Sequence, residues 1–434
     1  MEKIIGLRRE DKNEWERRVP LIPADVKELK ENHGITTIVQ PSAIRVFSNE
    51  DYNSIGARIN ESLSDARVVF AVKEIPVQLL EKEKTYVFFS HTIKGQPYNM
   101  ELLKRLMELK CNLIDYERMS DQRNVRLITF SIHAGMAGAI ETLHAFGRKM
   151  KLQGYDTPLE KVKQAYQYSS EVEAKEAIKK IALEIAETGI PKELHPLTIG
   201  LSGYGNVSKG AQEILDLLPV KTIEPDQLRA GLKAIELDNR YIYKIVFKEK
   251  DMVKSLEGDF ELQHYYNHPE KYRSIFDDYL PHLRILLNCV YWTERYPRTI
   301  TRENLKNRMA GAQKTGLQVI GDISCDINGS IEITRESTKP DNACYTYYAE
   351  RDEFKNGIQD SGVTVMAIDN LPCEFPREAS SLFSSQLRAY ANAIVSADFK
   401  NDFKDLNLPH EIKKAVILQN GALTPDYQYM EQYL

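Results

Sequence analysis

The chain lacks the sequence features of several classes of protein. Its 434 residues include only five cysteines, which are scattered and form no CxxC pair. This spacing supports neither a disulfide framework nor a zinc site, so we expect reduced thiols in a cytoplasmic protein with no bound metal. No run of about 18 apolar residues is present, and the charged N-terminal stretch has no apolar signal-peptide core. The sequence therefore predicts neither a membrane span nor secretion.

An excess of charge of one sign is also missing. The formal net charge is −5, with 28% charged and 42% hydrophobic residues. This balance is ordinary for a soluble globular protein and provides no basic surface for nucleic acid or anionic lipid. The length indicates two or three domains or one large two-domain unit. We therefore expect small-molecule partners, with homo-oligomerisation left open.

Short apolar runs alternate with amphipathic helix patterns along the first 130 residues. Strands are predicted at 4–7, 35–40, 67–72, 85–90 and 111–115, and helices at 23–34 and 100–110. This alternation is typical of βαβ units with a mostly parallel sheet buried on both faces. After a long helix pattern over 169–189, a second α/β unit begins near 197, with strands predicted at 317–324 and 363–370. The fold class is therefore α/β, although the segment 240–300 shows no assignable pattern.

The stretch LTIGLSGYGNVSKGA predicts a strand, a glycine turn and a helix. Gly203 permits the tight turn, and Gly205 lets a pyrophosphate approach the helix N-terminus. The usual third glycine is replaced by Ser208, with Gly210 two positions later. Glu224 follows at about the distance of a ribose-binding carboxylate, which favours NAD over NADP. A purely structural turn is the alternative, and an ATP-type phosphate loop is not indicated.

Titratable side chains follow several of the predicted strands directly. Lys73 and His91 each come after an apolar run, where ligands bind in open α/β sheets. His91 is suited to proton transfer near neutral pH, and Lys73 can act as a base if its surroundings lower its pKa. Structural or solvated roles remain open for both residues. Arg18 is either an anion clamp or a surface charge, and Asp322 and Asp326 are further candidates after a strand.

Long motifs show a resemblance to a known family. They are, in chain order, RREDKNEWERRVPL, AVKEIP, FFSHTIKGQ, LIDYE, GNVSKGAQEI, DISCDINGSIE and IDNLPCEFPREAS. These motifs resemble the lysine–2-oxoglutarate reductase module of aminoadipic semialdehyde synthase. That module is related to the lysine-forming saccharopine dehydrogenase of fungi and, more distantly, to alanine dehydrogenase and the transhydrogenase domains. The similarity extends from about residue 4 to about residue 425.

The resemblance implies two Rossmann-like domains with mostly parallel sheets and an interdomain cleft. It implies a discontinuous substrate domain of residues 1–130 and 336–434, and a dinucleotide-binding domain of residues 131–335. The implied enzyme is an NAD(P)-dependent oxidoreductase acting on CH–NH bonds. It would interconvert lysine, 2-oxoglutarate and NAD(P)H with saccharopine and NAD(P)+. The alternatives are an alanine-dehydrogenase-like enzyme that uses ammonia, and a non-catalytic sensor of dinucleotide or lysine.

The resemblance also implies roles for individual residues. Lys73 and His91 match the catalytic acid/base pair. The positions matched to substrate binding are Arg18, Gln96, Glu117, Arg126 and Phe130. The positions matched to NAD or NADP binding are Gly203, Gly205, Asn206, Val207, Glu224, Asp322, Ser324, Cys325 and Asp326. The animal and plant proteins that the motifs resemble are usually NADPH-linked despite an acid at the Glu224 position, so the choice between NAD and NADP stays open.

Overall fold

The structure is a computed structural model that describes residues 2–310 and 315–434. The strands are β1 Ile4–Leu7, β2 Thr36–Val39, β3 Arg58–Ile59, β4 Val68–Phe70, β5 Thr85–Phe88, β6 Asn112–Asp115, β7 Thr198–Ser202, β8 Val220–Thr222, β9 Ile242–Phe247, β10 Val253–Ser255, β11 Tyr272–Ser274, β12 Ile285–Asn288, β13 Val319–Asp322, β14 Cys344–Tyr348, β15 Glu353–Asn356, β16 Val363–Met366, β17 Val416–Gln419 and β18 Ala422–Leu423. The α-helices are α1 Pro23–His33, α2 Asn49–Asn53, α3 Pro97–Glu108, α4 Ser131–Leu152, α5 Glu171–Thr188, α6 Asn206–Leu215, α7 Pro225–Arg229, α8 Glu249–Met252, α9 Leu262–Asn267, α10 Arg302–Ala310, α11 Pro376–Ser396 and α12 His410–Lys413. Within the described ranges, no helix is long and apolar enough to cross a membrane.

The chain forms two compact units, of which the first contains Met1–Phe130 and Pro376–Leu434. Its eight-stranded sheet has the order β18-β17-β6-β5-β4-β1-β2-β3. The strands from β6 to β3 are parallel, while β17 and β18 form an antiparallel edge. The central strands carry fully buried side chains, among them Ile5, Phe70, Val87, Phe88 and Ile114. Continuous apolar strands of this kind are expected where helices cover both faces of a parallel sheet.

Parallel pairing in the first unit brings the carboxyl ends of neighbouring strands to one edge. The pairing of β4 with β5 continues past the strands, since the Phe89 N–H donates to the Val72 carbonyl at 3.1 Å. β6 pairs with β5 so that Asp115 is opposite Phe88. The side chains that follow β4, β5 and β6 therefore meet at this edge, where ligands bind in open α/β sheets.

The second unit contains Ser131–Phe375. Its eight-stranded sheet has the order β15-β14-β16-β13-β12-β7-β9-β8. All neighbours from β16 to β8 are parallel, and β14 and β15 add an antiparallel edge. Two mostly parallel sheets with helices confirm the predicted α/β class. β9 lies between β7 and β8, so the strand that follows α6 in the chain is at the edge of the sheet.

Helices α4 and α6 pack closely because glycines line their contact. A Cβ atom added to Gly135 of α4 would lie 1.9 Å from the Val207 carbonyl oxygen. One added to Gly210 of α6 would lie 2.0 Å from the Ile132 carbonyl oxygen. Gly210 thus allows close packing between two helices, and Ser208 at the position of the usual third glycine is buried.

The chain returns from the second unit to the first at a later residue than predicted. Residues 336–375 were expected in the first domain, but β16 pairs with β13 of the second sheet, and β14 pairs with β16. The chain therefore returns to the first unit at Pro376, the first residue of α11. This boundary depends on strand pairing between distant segments, so the local sequence near residue 336 does not predict it.

Candidate active site

A histidine–carboxylate pair stands at the ends of β4 and β5 in the first unit. His91 Nδ1 lies 2.5 Å from Glu74 Oε1, and the His91 backbone has a positive φ of 49°. Burial opposes ionisation of Glu74, but the hydrogen bond and charge of His91 outweigh it and lower the pKa of Glu74 to about 2. The ionised carboxylate holds the Nδ1–H, so a neutral His91 presents Nε2 as its basic atom.

Glu10 anchors the backbone beside this pair. Its carboxylate accepts hydrogen bonds from the N–H groups of Val72 at 2.7 Å and of Lys73 at 2.9 Å. Burial, together with the nearby charge of Glu16, raises the pKa of Glu10 to about 7. The segment that carries Lys73 and Glu74 is therefore held to the loop after β1 by a carboxyl group that itself titrates near neutral pH.

Asp115 is a buried acid at the end of β6. It accepts hydrogen bonds from the Ser90 hydroxyl and from the Glu117 N–H, the latter at 2.7 Å. Burial raises the pKa of Asp115 to about 6, and the charges of Glu117 and His91 also act on it. We call Glu10, Lys73, Glu74, His91 and Asp115 the acid–base cluster. It joins the two predicted catalytic residues with three carboxyl groups.

Arg18 is buried rather than exposed, which excludes the surface-charge alternative. Its Nε and Nη2 atoms donate to both carboxylate oxygens of Glu16 at 2.8 and 2.6 Å, and both side chains are almost fully buried. The guanidinium carbon lies 4.1 Å from the ring centre of Phe130. Phe130 in turn stacks on Phe383 at 4.4 Å. Two residues predicted to bind substrate, Arg18 and Phe130, are thus in direct contact.

The other predicted substrate-binding residues lie nearer the surface. Arg126 forms an ion pair with Glu117, and about half of its side chain is exposed. Gln96 precedes α3 and accepts a hydrogen bond from the Tyr98 hydroxyl at 2.7 Å. The loop that carries Gln96 packs on the C-terminal segment, since the Tyr429 hydroxyl donates to the Ile93 carbonyl at 2.7 Å. The exposed half of Arg126 is accessible to an anionic ligand.

The glycine turn of the second unit has the geometry of a phosphate cradle. Gly203 adopts a φ of 84°, a region that favours glycine. Gly205 precedes α6, and a Cβ atom added there would meet no described heavy atom within 4 Å. The backbone at Asn206 and Val207 begins the helix, whose N–H groups favour an anion. These residues fit the pyrophosphate of a dinucleotide.

Glu224 and the loop that begins at Asp322 were also predicted to bind the cofactor, but the structure does not place them as clearly at the glycine turn. Glu224 is exposed after the edge strand β8, and β9 separates that strand from the glycine turn. Asp322 is buried and accepts hydrogen bonds from the side chains of Thr334, Asn288 and Ser324. Asp322 therefore organises its own loop, in which Cys325 has a positive φ and Asp326 is exposed. Among the described residues, no cluster of acids, histidines and cysteines suits a metal ion.

Glu10, Glu74 and Asp115 were not among the predicted site residues. A signal for Glu74 is present in the sequence, because the acid directly follows Lys73 in AVKEIP. Asp115 likewise ends an apolar run, in LIDYE. Glu10 lies in a charged stretch near the N-terminus, and only the folded chain places it against β4.

Two domain models of one protein family match the chain. The model of the N-terminal domain of alanine dehydrogenase/PNT matches residues 6–137, and the model of the C-terminal domain matches residues 230–426. The chain belongs to the alanine dehydrogenase/PNT family. This membership agrees with the resemblance that the motifs indicate, and the N-terminal match contains the whole acid–base cluster.

Among curated proteins, the alpha-aminoadipic semialdehyde synthases of Mus musculus and Arabidopsis thaliana are each 34% identical to the chain. These matches cover 99% and 98% of this chain, but 48% and 41% of the relatives. The chain thus spans about half the length of these relatives. The NAD(+), L-lysine-forming saccharopine dehydrogenase of Yarrowia lipolytica is 25% identical, over 86% of this chain and 87% of its own.

Two solved structures share the fold. An L-alanine dehydrogenase superposes with a TM-score of 0.65 at 18% identity, covering 99% of both chains. A transhydrogenase from Sinorhizobium meliloti superposes with a TM-score of 0.58 at 15% identity, covering 97% of this chain and all of the other. At these identities the similarity concerns the architecture alone.

Proposed function

We propose that the chain is an NAD(P)-dependent oxidoreductase acting on CH–NH bonds. It interconverts lysine, 2-oxoglutarate and NAD(P)H with saccharopine, NAD(P)+ and water. The observation that carries the proposal is the Glu74–His91 pair beside Lys73 at adjoining strand ends. The 34% identity to aminoadipic semialdehyde synthases along the whole chain, and the name of the saccharopine dehydrogenase relative, support the choice of substrates.

The second unit supplies the dinucleotide cradle in this proposal. Gly203 makes the turn, Gly205 leaves room for the pyrophosphate, and the first N–H groups of α6 face the phosphate charge. When bound, NAD(P) supplies or accepts the hydride of the reaction. The choice between NAD and NADP belongs to residues near the adenosine ribose.

The acid–base cluster moves the protons of imine formation and hydrolysis. The substrate amine must lose a proton before it attacks the keto carbon, and the oxygen that leaves must gain protons to become water. His91 Nε2 accepts the first proton while Glu74, ionised at neutral pH, stabilises the imidazolium. Lys73 is the second proton-transferring group of the pair and delivers a proton to the leaving oxygen. The reverse steps hydrolyse the imine that forms when saccharopine is oxidised.

The two arginines that were predicted to bind substrate have different roles in this proposal. Saccharopine carries three carboxylates, and guanidinium groups bind carboxylates through paired hydrogen bonds. Arg126, half-exposed and held by Glu117, offers its accessible N–H groups to one of them. The buried Arg18–Glu16 pair packs against the Phe130 ring and holds this wall of the site in place.

A direct assay tests this proposal. Purified chain is incubated with saccharopine and either NAD or NADP, and in the opposite direction with NAD(P)H, 2-oxoglutarate and either lysine or ammonia. We expect oxidation of saccharopine, and reductive turnover with lysine but not with ammonia. Turnover with ammonia alone would instead support an alanine-dehydrogenase-like activity. Dinucleotide binding without turnover of either amine would support a sensor and overturn the proposal.

A further inference from the structure

The strand next to the glycine turn is not the one that follows it in the chain. β7 pairs in parallel with β9 from Thr198 opposite Tyr243 to Ser202 opposite Phe247. The pairing continues into the turn, since the Gly203 N–H donates to the Phe247 carbonyl at 2.9 Å. β8 pairs with β9 on the far side. The end of β9 is therefore the immediate neighbour of the phosphate cradle.

This order of strands changes where the adenosine ribose is expected. In dinucleotide-binding sheets the ribose carboxylate stands at the end of the strand adjacent to the glycine-turn strand. Neighbouring strands are about 4.8 Å apart, so the end of β8 is roughly 10 Å from the line of β7. Glu224, which follows β8, satisfies the usual spacing along the sequence but lies one strand too far away in space.

Two charged residues follow β9 directly. Lys248 is exposed, and among the residues that the structure describes none forms an ion pair with it. Glu249 is half-buried and accepts hydrogen bonds from the Tyr266 hydroxyl at 2.8 Å and the Tyr204 hydroxyl at 3.5 Å. Tyr204 is the residue between the two glycines of the turn. The Glu249 carboxylate is thus tied to the cradle itself.

We propose that Lys248 and Glu249, rather than Glu224, recognise the 2′ position of the adenosine ribose and set the preference between NADP and NAD in opposite directions. The proposal rests on the dinucleotide-binding function given above. The Lys248 ammonium pairs with a 2′-phosphate, which only NADP carries. The Glu249 carboxylate accepts a hydrogen bond from a free 2′-hydroxyl and repels a 2′-phosphate. An acid at position 224 then has no bearing on the choice.

Equilibrium binding of NADH and NADPH, followed by nucleotide fluorescence, tests the assignment without any turnover. Lys248→Ala should weaken NADPH binding by about tenfold and change NADH binding by no more than about twofold. Glu249→Gln should do the reverse, weakening NADH several-fold while leaving NADPH unchanged or tighter. The controls are Lys221→Ala on β8 and Glu224→Gln after β8, which remove the same charges as Lys248→Ala and Glu249→Gln. Both controls should leave the NADPH-to-NADH affinity ratio unchanged.

The possible outcomes separate this inference from the proposed function. Binding by the unaltered chain, combined with opposite shifts in Lys248→Ala and Glu249→Gln, supports the inference. If the chain binds dinucleotide but only Glu224→Gln changes the ratio, the ribose lies at β8 and the inference alone fails. If the folded, unaltered chain binds neither NADH nor NADPH, the dinucleotide function fails, and the inference fails with it.

Discussion

Each of the two eight-stranded sheets ends one of its strands in a buried aspartate, yet the two carboxyl groups have different surroundings. Asp115 closes β6 in the first unit, and Asp322 closes β13 in the second. Both are almost fully buried, and burial raises the pKa of each. Asp115 shares its edge of the sheet with His91 and Glu117, whose charges act on it. Asp322 faces neutral hydroxyl and amide donors.

The comparison shows that a carboxyl group at a strand end is not by itself a catalytic signal. Hydrogen bonds from Thr334, Asn288 and Ser324 use the acceptor positions of Asp322, so this group fixes a loop. The neighbours of Asp115 include groups that gain and lose protons. In the proposed reaction, we therefore assign proton transfer to the first sheet and nucleotide positioning to the second.

The largest expected effect is on the acid/base pair. His91→Gln and Lys73→Met should each reduce the turnover of saccharopine by about a hundredfold or more, because general acid–base catalysis is lost. The affinity for NADH or NADPH, measured by fluorescence, should stay within about twofold, since the cradle lies in the second unit. The exposed residues His33 and Lys82 provide matched controls as His33→Gln and Lys82→Met. Unchanged turnover in both cluster variants would contradict the assignment.

The next largest effect concerns Asp322 and is a loss of stability in the second unit. Asp322→Asn replaces one acceptor oxygen with an amide N–H₂ that faces existing donors. At least one buried hydrogen bond is lost, and the second unit should lose about 2 kcal/mol of unfolding free energy. Urea denaturation measures the loss. The exposed Asp341 is the control, and a fall no larger than that of Asp341→Asn would show that Asp322 is not a structural anchor.

A smaller effect should follow from neutralising the partner of His91. In Glu74→Gln the amide oxygen still accepts the Nδ1–H, so the ring keeps its orientation, but the imidazolium loses its negative neighbour. Turnover should fall by about tenfold. Steady-state turnover of saccharopine at neutral pH measures the fall. Unchanged turnover would contradict the role of the Glu74 carboxylate in stabilising the imidazolium.

The sequence predicted the parts of this molecule that depend on local chemistry. The helix predicted over 23–34 ends as expected at Gly34, which has a φ of 64°, and the strand predicted at 4–7 is β1. Contacts between segments were harder to predict. Glu74 and His91 are 17 positions apart and meet only because β4 pairs with β5. The insertion of β9 beside β7 was not predicted either, since the segment 240–300 showed no clear period.

The smallest predicted effect concerns two buried acids of the second unit that take no part in either site. Glu374 faces Glu141 of α4, and burial together with the charge of Glu141 raises the pKa of Glu374 well above its usual range. Burial also raises the pKa of Glu141 to about 7. The unfolded chain releases both protons near pH 4.5. The folded protein keeps them to higher pH, so its stability falls as the pH rises above 4.5.

Glu374→Gln removes one of these two protons while keeping a donor that faces Glu141. The variant should match the unaltered protein near pH 4.5 and have the higher unfolding free energy at pH 8, because glutamine has no proton to lose in the unfolded chain. Thermal unfolding at both pH values measures the difference, with the exposed Glu187→Gln on α5 as the control. Equal stability of the variant and the unaltered protein at pH 8 would mean that Glu374 ionises freely, and that the pair does not hold a proton in the folded state.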